Sequence, residues 1–376
     1  MEQIKTDLMT INMGPQHPST HGVLRLELKT DGEIVDSCRP YLGYLHRCFE
    51  KHCESLDYLK IVPFTDRMDY LAAMNNNWAF ALAVEKMMGI EVPEKCEYLR
   101  VIVSELNRIA SHIIAFGTFG LDIGAFTPFL LAFNQRELIF DLLEEASGAR
   151  MLYNYIWVGG VARDVTSEWL KKVKGFCESY KPVINEIDDL LSYNKIFVSR
   201  AANVGIVPKD LAIDYGFTGP NLRGSGIEFD LRKDEPYSIY DKFDFDVPIG
   251  SGEEGTLGDC WDRYMCRIRE TRESIKIIEQ ALEGISLEGD IYEAVPKNFN
   301  KMPKGEVYVR SETPRGEMGI YIVSEGGKAP TPYRCKVRSP AFCALSILEK
   351  IAKGVMISDI IVILGSIDIV LGEVDR

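Results

Sequence analysis

The first part of the chain alternates apolar and polar residues in the way that is typical of a β-sheet with one buried face. The alternation runs from Val23 to Lys29, and Thr30-Asp31-Gly32 then supplies the residues of a tight turn before Glu33. We therefore predict a hairpin at this place, within a strand-rich lobe that extends to about Leu59.

Beyond residue 60 the apolar residues recur every three or four positions, which is the spacing of a helix with one buried face. In the third helix Thr127 is the expected N-cap and Pro128 the first helical residue. The first helix would place Arg67 and Tyr70 one turn apart. The predicted helices are Asp66 to Gly89, Glu97 to Phe116, one that starts at Thr127-Pro128, Asp164 to Leu191, and Asp262 to Ile285.

The C-terminal part combines short β-like runs with one long apolar stretch. Val307-Tyr308-Val309 and the run from Gly319 to Val323 predict strands. The stretch from Val355 to Leu371 has nearly the length of a membrane span, but Asp359 and Asp368 interrupt it. We therefore expect a buried strand, or a helix and a turn, in this stretch.

These patterns together predict the α+β class, with a central helical bundle between two β-containing parts. The expected organisation is a β-rich lobe at 1–60, a helical bundle at 61–290 with an irregular insertion at about 195–261, and an α/β segment at 291–376 that completes the core.

Amino-acid composition limits which partners and which cellular compartment are expected. The chain has 376 residues, 46% hydrophobic and 26% charged, which is typical of a soluble globular protein. Its net charge of -13 argues against nucleic acid or an anionic lipid surface as a direct partner. The first residues do not resemble a secretory leader, and the nine cysteines are odd in number and irregularly spaced. A reducing compartment is the expected location.

Two of the five histidines lie in a short loop near the N-terminus. Pro15 and Pro18 fix the backbone on both sides of His17, and Gly22 follows His21 directly. Histidine can be charged or neutral with a small change of its environment. The simpler interpretation of a pair of loop histidines is structural.

Other motifs that carry chemistry are missing from the sequence. No glycine-rich nucleotide fingerprint follows a strand, no Walker loop is found, and no Cys-x-x-Cys pair is present. A zinc site from His46, Cys48, His52 and Cys53 has suitable ligand types, but four ligands within eight residues lack the usual separation into two pairs. We favour core cysteines over a metal site.

The histidine loop begins a series of ordered blocks that resemble the D-type subunit of NADH-quinone oxidoreductase, the quinone-reducing subunit of respiratory complex I. The fold of that family is similar to the large subunit of [NiFe]-hydrogenases, a likeness that by itself implies no chemistry. The matching blocks are Leu42 to Arg47, Thr65 to Tyr70, Leu121 to Pro128, Ser147 to Met151, Leu222 to Gly226, Asp230 to Lys233, Pro332 to Lys336, and Gly372 to Arg376.

The resemblance implies a subunit that binds no redox cofactor itself and takes quinone as its substrate. Electrons would come from a [4Fe-4S] cluster in the neighbouring iron-sulfur B-type subunit. A C-type subunit and a membrane-arm subunit that forms the quinone channel are the other implied partners. The location would be peripheral, on the cytoplasmic side of the plasma (inner) membrane. An equivalent subunit of a ferredoxin- or F420H2-driven quinone or phenazine oxidoreductase remains an alternative, as does a non-catalytic scaffold that joins the two arms of a complex.

The family pattern also implies roles for individual positions of this sequence. His21 and Tyr70 would hold the quinone headgroup, and Asp122 would orient that histidine and favour its charged form. Taken singly, each has an ordinary structural interpretation: a buried imidazole, a helix-face core residue and a turn-former. The remaining implied positions are His17 as the second loop histidine, Arg47 and Arg67 near the cluster, Thr118 in the pocket wall, and Leu152 where many members have histidine.

One further set of charges needs an assignment. Glu105, Arg108 and His112 form a stripe on one face of the second predicted helix. We expect this stripe to pair with another helix or another subunit, in a structural role and not in catalysis.

Overall fold

The computed structural model describes residues 8–17, 20, 22–293, 302–327 and 330–376. His21 lies outside the described residues. The architecture is a helical bundle with a small antiparallel sheet at each end of the chain, which confirms the α+β prediction.

The N-terminal sheet has three antiparallel strands in the order β1-β2-β3. They are β1 (Met9–Met13), β2 (Arg25–Asp31) and β3 (Ile34–Tyr41). The β2–β3 hairpin confirms the prediction, and Gly32 at the turn has φ 61°, a left-handed conformation that favours glycine. Leu26 and Leu28 point to the buried face, as the alternation predicted.

Helices occupy most of the chain from residue 49 to residue 284, with one short hairpin between the fifth and the sixth. The first five are α1 (Phe49–Cys53), α2 (Tyr58–Thr65), α3 (Ala73–Met88), α4 (Glu94–Asp122) and α5 (Phe126–Ser147), and the hairpin is β4 (Ile156–Trp157) with β5 (Gly160–Val161). The others are α6 (Ser167–Ile187) with a π turn at Asp188–Ser192, α7 (Lys195–Ala201), α8 (Lys209–Asp214), α9 (Gly219–Gly224), α10 (Leu231–Asp234), a 3-10 turn at Tyr240–Lys242, and α11 (Cys260–Gly284).

The C-terminal part returns to the bundle after a second three-stranded antiparallel sheet. Its elements are β6 (Gly305–Thr313), β7 (Gly316–Ser324), β8 (Arg334–Arg338), α12 (Pro340–Ser346), α13 (Leu348–Ile351), α14 (Ile357–Ile367) and α15 (Leu371–Asp375). The long apolar stretch is thus a buried helix and a turn, one of the two predicted forms. Among the described residues, no helix has the length and apolar character needed to cross a membrane.

The predicted helix from Asp66 to Gly89 is wrong in its first turns. Helix α2 ends at Thr65, and residues 66–72 form a series of turns before α3 begins at Ala73. Side chains compete here with the helical pattern: Asp69 Oδ1 accepts the Leu71 amide at 3.1 Å, and Asn76 Nδ2 donates to the Asp69 carbonyl at 3.1 Å. Arg67 and Tyr70 therefore lie in a turn segment and not on one helix.

One other helix boundary also differs from the prediction. Helix α5 begins at Phe126 with Ala125 at its N-cap, so Thr127 is not the cap and Pro128 is the third helical residue. The predicted irregular insertion at about 195–261 contains four short helices, α7 to α10. Segments of four to seven residues are too short to display a clear helical period.

The stripe on α4 is buried inside the bundle and pairs with α11, as a structural role requires. His112 Nε2 lies 3.1 Å from Glu270 Oε2, and Arg232 joins the two helices by contacting Glu105 Oε2 at 3.1 Å and Glu270 Oε1 at 2.8 Å. Every one of these side chains is at most 1% exposed. The buried ion network consists of Glu105, Asp230, Glu270 and Glu312 with Arg108, Arg223, Arg232 and His112.

Candidate functional site

A cavity of about 380 Å³ opens between α1, α2 and α15. Its wall combines aromatic and aliphatic carbon with three guanidinium groups. A mixed lining of this kind suits a partner or ligand that is partly apolar and partly anionic. The lining residues are Arg47, Phe49, His52, Pro63, Phe64, Arg67, Met68, Gly372 and Arg376.

Arg47 and Arg67, which the family resemblance implies to lie near a neighbouring cluster, are in direct contact. The Arg47 guanidinium donates to the backbone carbonyl of Arg67. Arg67 in turn donates to the Pro63 carbonyl at 2.6 Å and lies 3.4 Å from Asp66 Oδ2. The Arg67 side chain is 46% exposed, so its charge is open to the outside of the chain.

The C-terminal helix α15 closes this region by packing against the turn segment. A Cβ atom at Gly372 would lie 2.5 Å from the Met68 carbonyl oxygen and 3.0 Å from Arg47 Nη2. No larger residue fits there without moving the backbone. Asp375 adds hydrogen bonds from the Gly43 and Leu45 amides at 2.9 and 2.7 Å.

Tyr70 is half-buried within the same turn segment. Burial is the main cause that raises the pKa of its phenol above 10, and the charge of Asp69 raises it further. The charges of Arg315 and Arg47 act in the opposite direction. With a raised pKa the hydroxyl remains protonated at neutral pH and is available as a hydrogen-bond donor.

Thr118 and Asp122 form a second group at the end of α4. They are four residues apart and therefore face the same side of the helix. The Thr118 hydroxyl donates to the Ile114 carbonyl at 2.7 Å, and both residues are half-buried. Helix α14 passes close by, since a Cβ at Gly365 would lie 3.6 Å from Asp122 Oδ2.

Gly22, at the end of the histidine loop, lies close to α15. A Cβ at Gly22 would lie 3.3 Å from Leu371 Cδ1, and His17 forms an isolated β-bridge with Gly22. Thr20 is buried and donates its hydroxyl to the His17 carbonyl at 2.8 Å, while the His17 side chain is exposed. His21, the main predicted ligand of this loop, lies outside the described residues, so its role remains a prediction.

Leu152 lies in the loop after α5, beside the turn segment. It has φ 57°, and two residues later the Asn154 amide donates to Asp66 Oδ2 at 3.0 Å. Burial raises the pKa of Asp66 to about 7, although Asn77, Arg67 and Asn154 each lower it. A carboxyl group that titrates near neutrality therefore stands between the loop of Leu152 and Arg67.

The four residues of the zinc alternative do not converge on one point. Cys53 is 1% exposed and packs in the core, where it hydrogen-bonds Cys335. Cys48 is exposed, with its sulfur 3.6 Å from His46 Nε2. Over the part of the chain that the structure describes, no group of three or more His, Cys, Asp or Glu side chains is arranged to hold a metal ion.

The sequence did not reveal the residue that joins these groups. Arg315 is 1% exposed and contacts Asp69, next to Tyr70, and Ser111 on α4. Sequence reasoning assigned it no role. The only available signal was its place in a Pro-Arg-Gly turn between two β-like runs, and such a turn usually lies at the surface.

The sequence of the chain is similar to those of known proteins. The sequence profile of the family described as the respiratory-chain NADH dehydrogenase 49 Kd subunit matches residues 122–301 and 290–376. The D-type subunit of the NADH-quinone oxidoreductase of Chlorobium luteolum is 57% identical over 378 residues, covering 100% of this chain and 95% of that protein. The same subunit of Pelodictyon phaeoclathratiforme is 55% identical over 378 residues, covering 100% and 94%. A D-type subunit of Cytophaga hutchinsonii is 55% identical over 382 residues, covering 99% and 97%. The chain therefore belongs to the family of the respiratory-chain NADH dehydrogenase 49 Kd subunit.

Proposed function

We propose that this chain is the quinone-site subunit of a proton-translocating NADH-quinone oxidoreductase. The observation that carries the proposal is the position of Tyr70, a half-buried phenol in the turn segment that also contains Arg67, whose carbonyl accepts a hydrogen bond from Arg47. A hydrogen-bond donor for a quinone carbonyl thus stands a few residues from fixed positive charge. The family and the relatives named as D-type subunits of NADH-quinone oxidoreductase support the same assignment.

Reduction of a quinone to a quinol requires two electrons and two protons, and negative charge develops on the carbonyl oxygens during the reaction. Donors placed in advance stabilise that charge without reorganisation. In the proposal, Tyr70 donates to one carbonyl oxygen and His21 to the other. Thr118 contributes to the wall of the headgroup pocket, and His17 has a lesser role in the same loop.

The cavity lined by Arg47, Arg67 and Arg376 is the proposed contact with the iron-sulfur B-type subunit. A [4Fe-4S] cluster with its cysteine thiolates is anionic, and three guanidinium groups at one surface fit such a group. When bound in the neighbour, the cluster supplies the electrons. The arginines of this chain hold positive charge beside it and favour its reduced state.

Asp122 is the proposed partner of His21. While His21 carries a proton the pair is neutral, and after that proton passes to the reduced quinone the carboxylate lacks its counter-charge in a low-dielectric site. A response to this charge, by side-chain movement or by proton uptake, would couple quinone reduction to transport. A C-type subunit and a membrane-arm subunit that forms the quinone channel complete the proposed assembly, peripheral on the cytoplasmic side of the membrane.

The test is Tyr70→Phe in the intact complex. The change keeps the ring and removes one hydrogen bond, so quinone turnover should fall by the equivalent of about 1 to 3 kcal/mol in transition-state stabilisation. Quinone reduction is measured with decylubiquinone as probe, and NADH oxidation with ferricyanide measures how much complex is assembled.

Tyr308→Phe is the matched control, because Tyr308 is also partly exposed and donates its hydroxyl to Glu317 at 3.2 Å on the C-terminal sheet. It should leave quinone turnover unchanged. Equal quinone kinetics in Tyr70→Phe and the parent complex would refute the role of Tyr70.

A further inference from the structure

We infer that Arg315 is a positioning residue for the quinone site: it fixes the turn segment that carries Tyr70 against the helix that carries Thr118 and Asp122. The inference rests on the proposed function, and it concerns a residue in a different part of the sequence. Arg315 acts through the neighbours that orient Tyr70 and not by contact with the quinone.

The Arg315 guanidinium is shared among three parts of the fold. Nη1 donates to Asp69 Oδ2 at 2.5 Å and to Ser111 Oγ at 3.0 Å. Nε donates to the Asp368 carbonyl at 3.1 Å, and Nη2 to Asp368 Oδ1 at 3.3 Å. All three nitrogens are thus committed, in directions that a planar fork supplies and a single ammonium group does not.

The first contact controls the backbone on both sides of Tyr70. The Asp69 carboxylate binds Arg315 with one oxygen and accepts the Leu71 amide with the other at 3.1 Å, so it spans Tyr70. The Leu71 carbonyl accepts a 3.1 Å hydrogen bond from Asn107 Nδ2, on α4. A shift of Asp69 would therefore move the peptide units that orient the Tyr70 ring.

The second contact reaches the helix of the other site residues. Ser111 is two turns before Thr118 and three turns before Asp122 on α4, and a continuous helix transmits its position along that length. The third contact, at Asp368, lies at the C-cap of α14, whose Gly365 packs on Phe119 and Asp122. Each partner of Arg315 thus leads to a named residue of the site.

Burial explains why these contacts are held firmly. Arg315, Asp69 and Ser111 are all at most 1% exposed, so water does not replace a contact that is lost. Burial raises the pKa of Asp69 and the charge of Asp368 adds to this rise, while the Arg315 guanidinium, 2.5 Å away, opposes it as the counter-charge of this carboxylate.

The experiment is a double-mutant cycle with Arg315→Lys and Tyr70→Phe in the intact complex, read with decylubiquinone as probe. Arg315→Lys keeps the charge but loses the fork, and it should lower kcat/KM for the quinone roughly tenfold, because a displacement near 1 Å has a large effect on reacting geometry. In the Tyr70→Phe background the same change should lower kcat/KM less than threefold, since the hydroxyl that Arg315 positions is absent.

Equal factors in the two backgrounds would overturn the inference while leaving the role of Tyr70 intact. A Tyr70→Phe complex with normal kinetics would instead overturn the proposed function. The two failures are therefore distinguishable within one cycle.

Arg100→Lys is the matched control. Arg100 is a fully buried arginine on the same helix as Ser111, paired with Glu85 at 2.6 Å, and it contacts no residue of the turn segment among those described. A merely structural role of Arg315 predicts that both lysine variants lower the assembled amount and leave kcat/KM alone. If Arg315→Lys does not assemble, Ser111→Ala removes one hydrogen bond of the guanidinium, and a smaller reduction that again disappears with Tyr70→Phe is expected. An additive effect of Ser111→Ala would then refute the inference.

Discussion

Two groups of arginines in this protein differ in what neutralises them. Arg223 and Arg232 lie in the bundle, at most 1% exposed, and each contacts carboxylates of the same chain at 2.7 to 3.2 Å. Arg47 and Arg67 lie at the cavity, and the hydrogen bonds described for them go mainly to backbone carbonyls. The first group has its counter-charges inside the fold, whereas the second offers positive charge to something outside it.

The pKa values of the buried group follow from this mutual neutralisation. Burial alone would raise the pKa of Glu270, but Arg223, His112 and Arg232 hold it well below its usual range. Glu312 shows the opposite outcome: burial and the charge of Asp230 raise its pKa to about 7. The guanidinium and carboxylate groups of the network thus neutralise one another inside the fold.

The largest effect is expected when this internal balance is broken. Glu270→Gln removes the carboxylate that Arg223, Arg232 and His112 share, and it should destabilise the chain by about 3 to 5 kcal/mol because buried positive charges lose their partner. The measurement is chemical unfolding of the chain, together with its recovery in the assembled complex.

The control for that change is Glu279→Gln on the same helix. Glu279 pairs with Lys181 at 2.6 Å with both side chains partly exposed, so its loss should change stability by less than about 1 kcal/mol. Similar losses from the two variants would contradict the contrast between buried and exposed pairs.

An intermediate effect is expected at Asp66, which belongs to both regions because it is buried and also contacts Arg67. Its pKa is raised to about 7 in the fold from 3.8, so the folded chain binds more protons than the unfolded chain between these values. The contribution of this carboxyl to stability is therefore fully present below about pH 4 and is lost as pH rises through 7.

Asp66→Asn should remove this pH dependence of stability. The parent segment should lose on the order of 3 kcal/mol of stability between pH 5 and pH 8, and the variant should not. Amide exchange of residues 152–156, corrected for the intrinsic rate, measures it. Asp57→Asn, at the exposed start of α2, is the control. An unchanged pH slope in Asp66→Asn would show that this carboxyl does not titrate in the expected window.

The smallest effect on stability is expected at Arg67. Because this arginine is exposed at the cavity, its loss should instead change the redox properties of the neighbouring cluster. Arg67→Gln should alter stability by less than about 1 kcal/mol, as is usual for an exposed charge. It should also lower the midpoint potential of the neighbouring cluster by roughly 20 to 60 mV, because positive charge near a redox centre favours its reduced form.

Redox titration of the complex by electron paramagnetic resonance measures this shift. Arg269→Gln is the control, since Arg269 is also partly exposed but pairs with Glu253 at 2.7 Å on α11. Equal potentials in the parent complex and in Arg67→Gln would remove Arg67 from the proposed cluster contact.

The sequence pattern correctly predicted the structural elements that depend on residues close together along the chain. The β2–β3 hairpin follows from alternation and Gly32, and the long helices α4, α6 and α11 follow from apolar spacing. The Asp66 to Gly89 helix failed in its first turns because Asp69 and Asn76 form side-chain bonds to the backbone there. The spacing of apolar residues does not reveal such hydrogen bonds between side chains and the backbone.

The residues of the candidate site also divide into those that the sequence identified and those that it did not. Motif resemblance identified Arg47, Arg67 and Tyr70, and in the structure Arg47 contacts the turn segment that contains the other two. Motif resemblance did not identify Arg315, whose partners Asp69 and Asp368 are distant in sequence. A buried ion pair between remote segments leaves no local pattern.

The sequence by itself determined the family, the α+β class and most of the long helices, because repeated apolar spacing and ordered motifs are properties of contiguous residues. Only the tertiary structure decided which charges are neutralised inside the fold and which face outward. Arg232 and Arg67 are both arginines in matched sequence blocks, yet one is enclosed by carboxylates and the other is 46% exposed. The physical reason is that the free energy of a charge depends on burial and on partners brought from distant segments, and neither is encoded in its immediate neighbours.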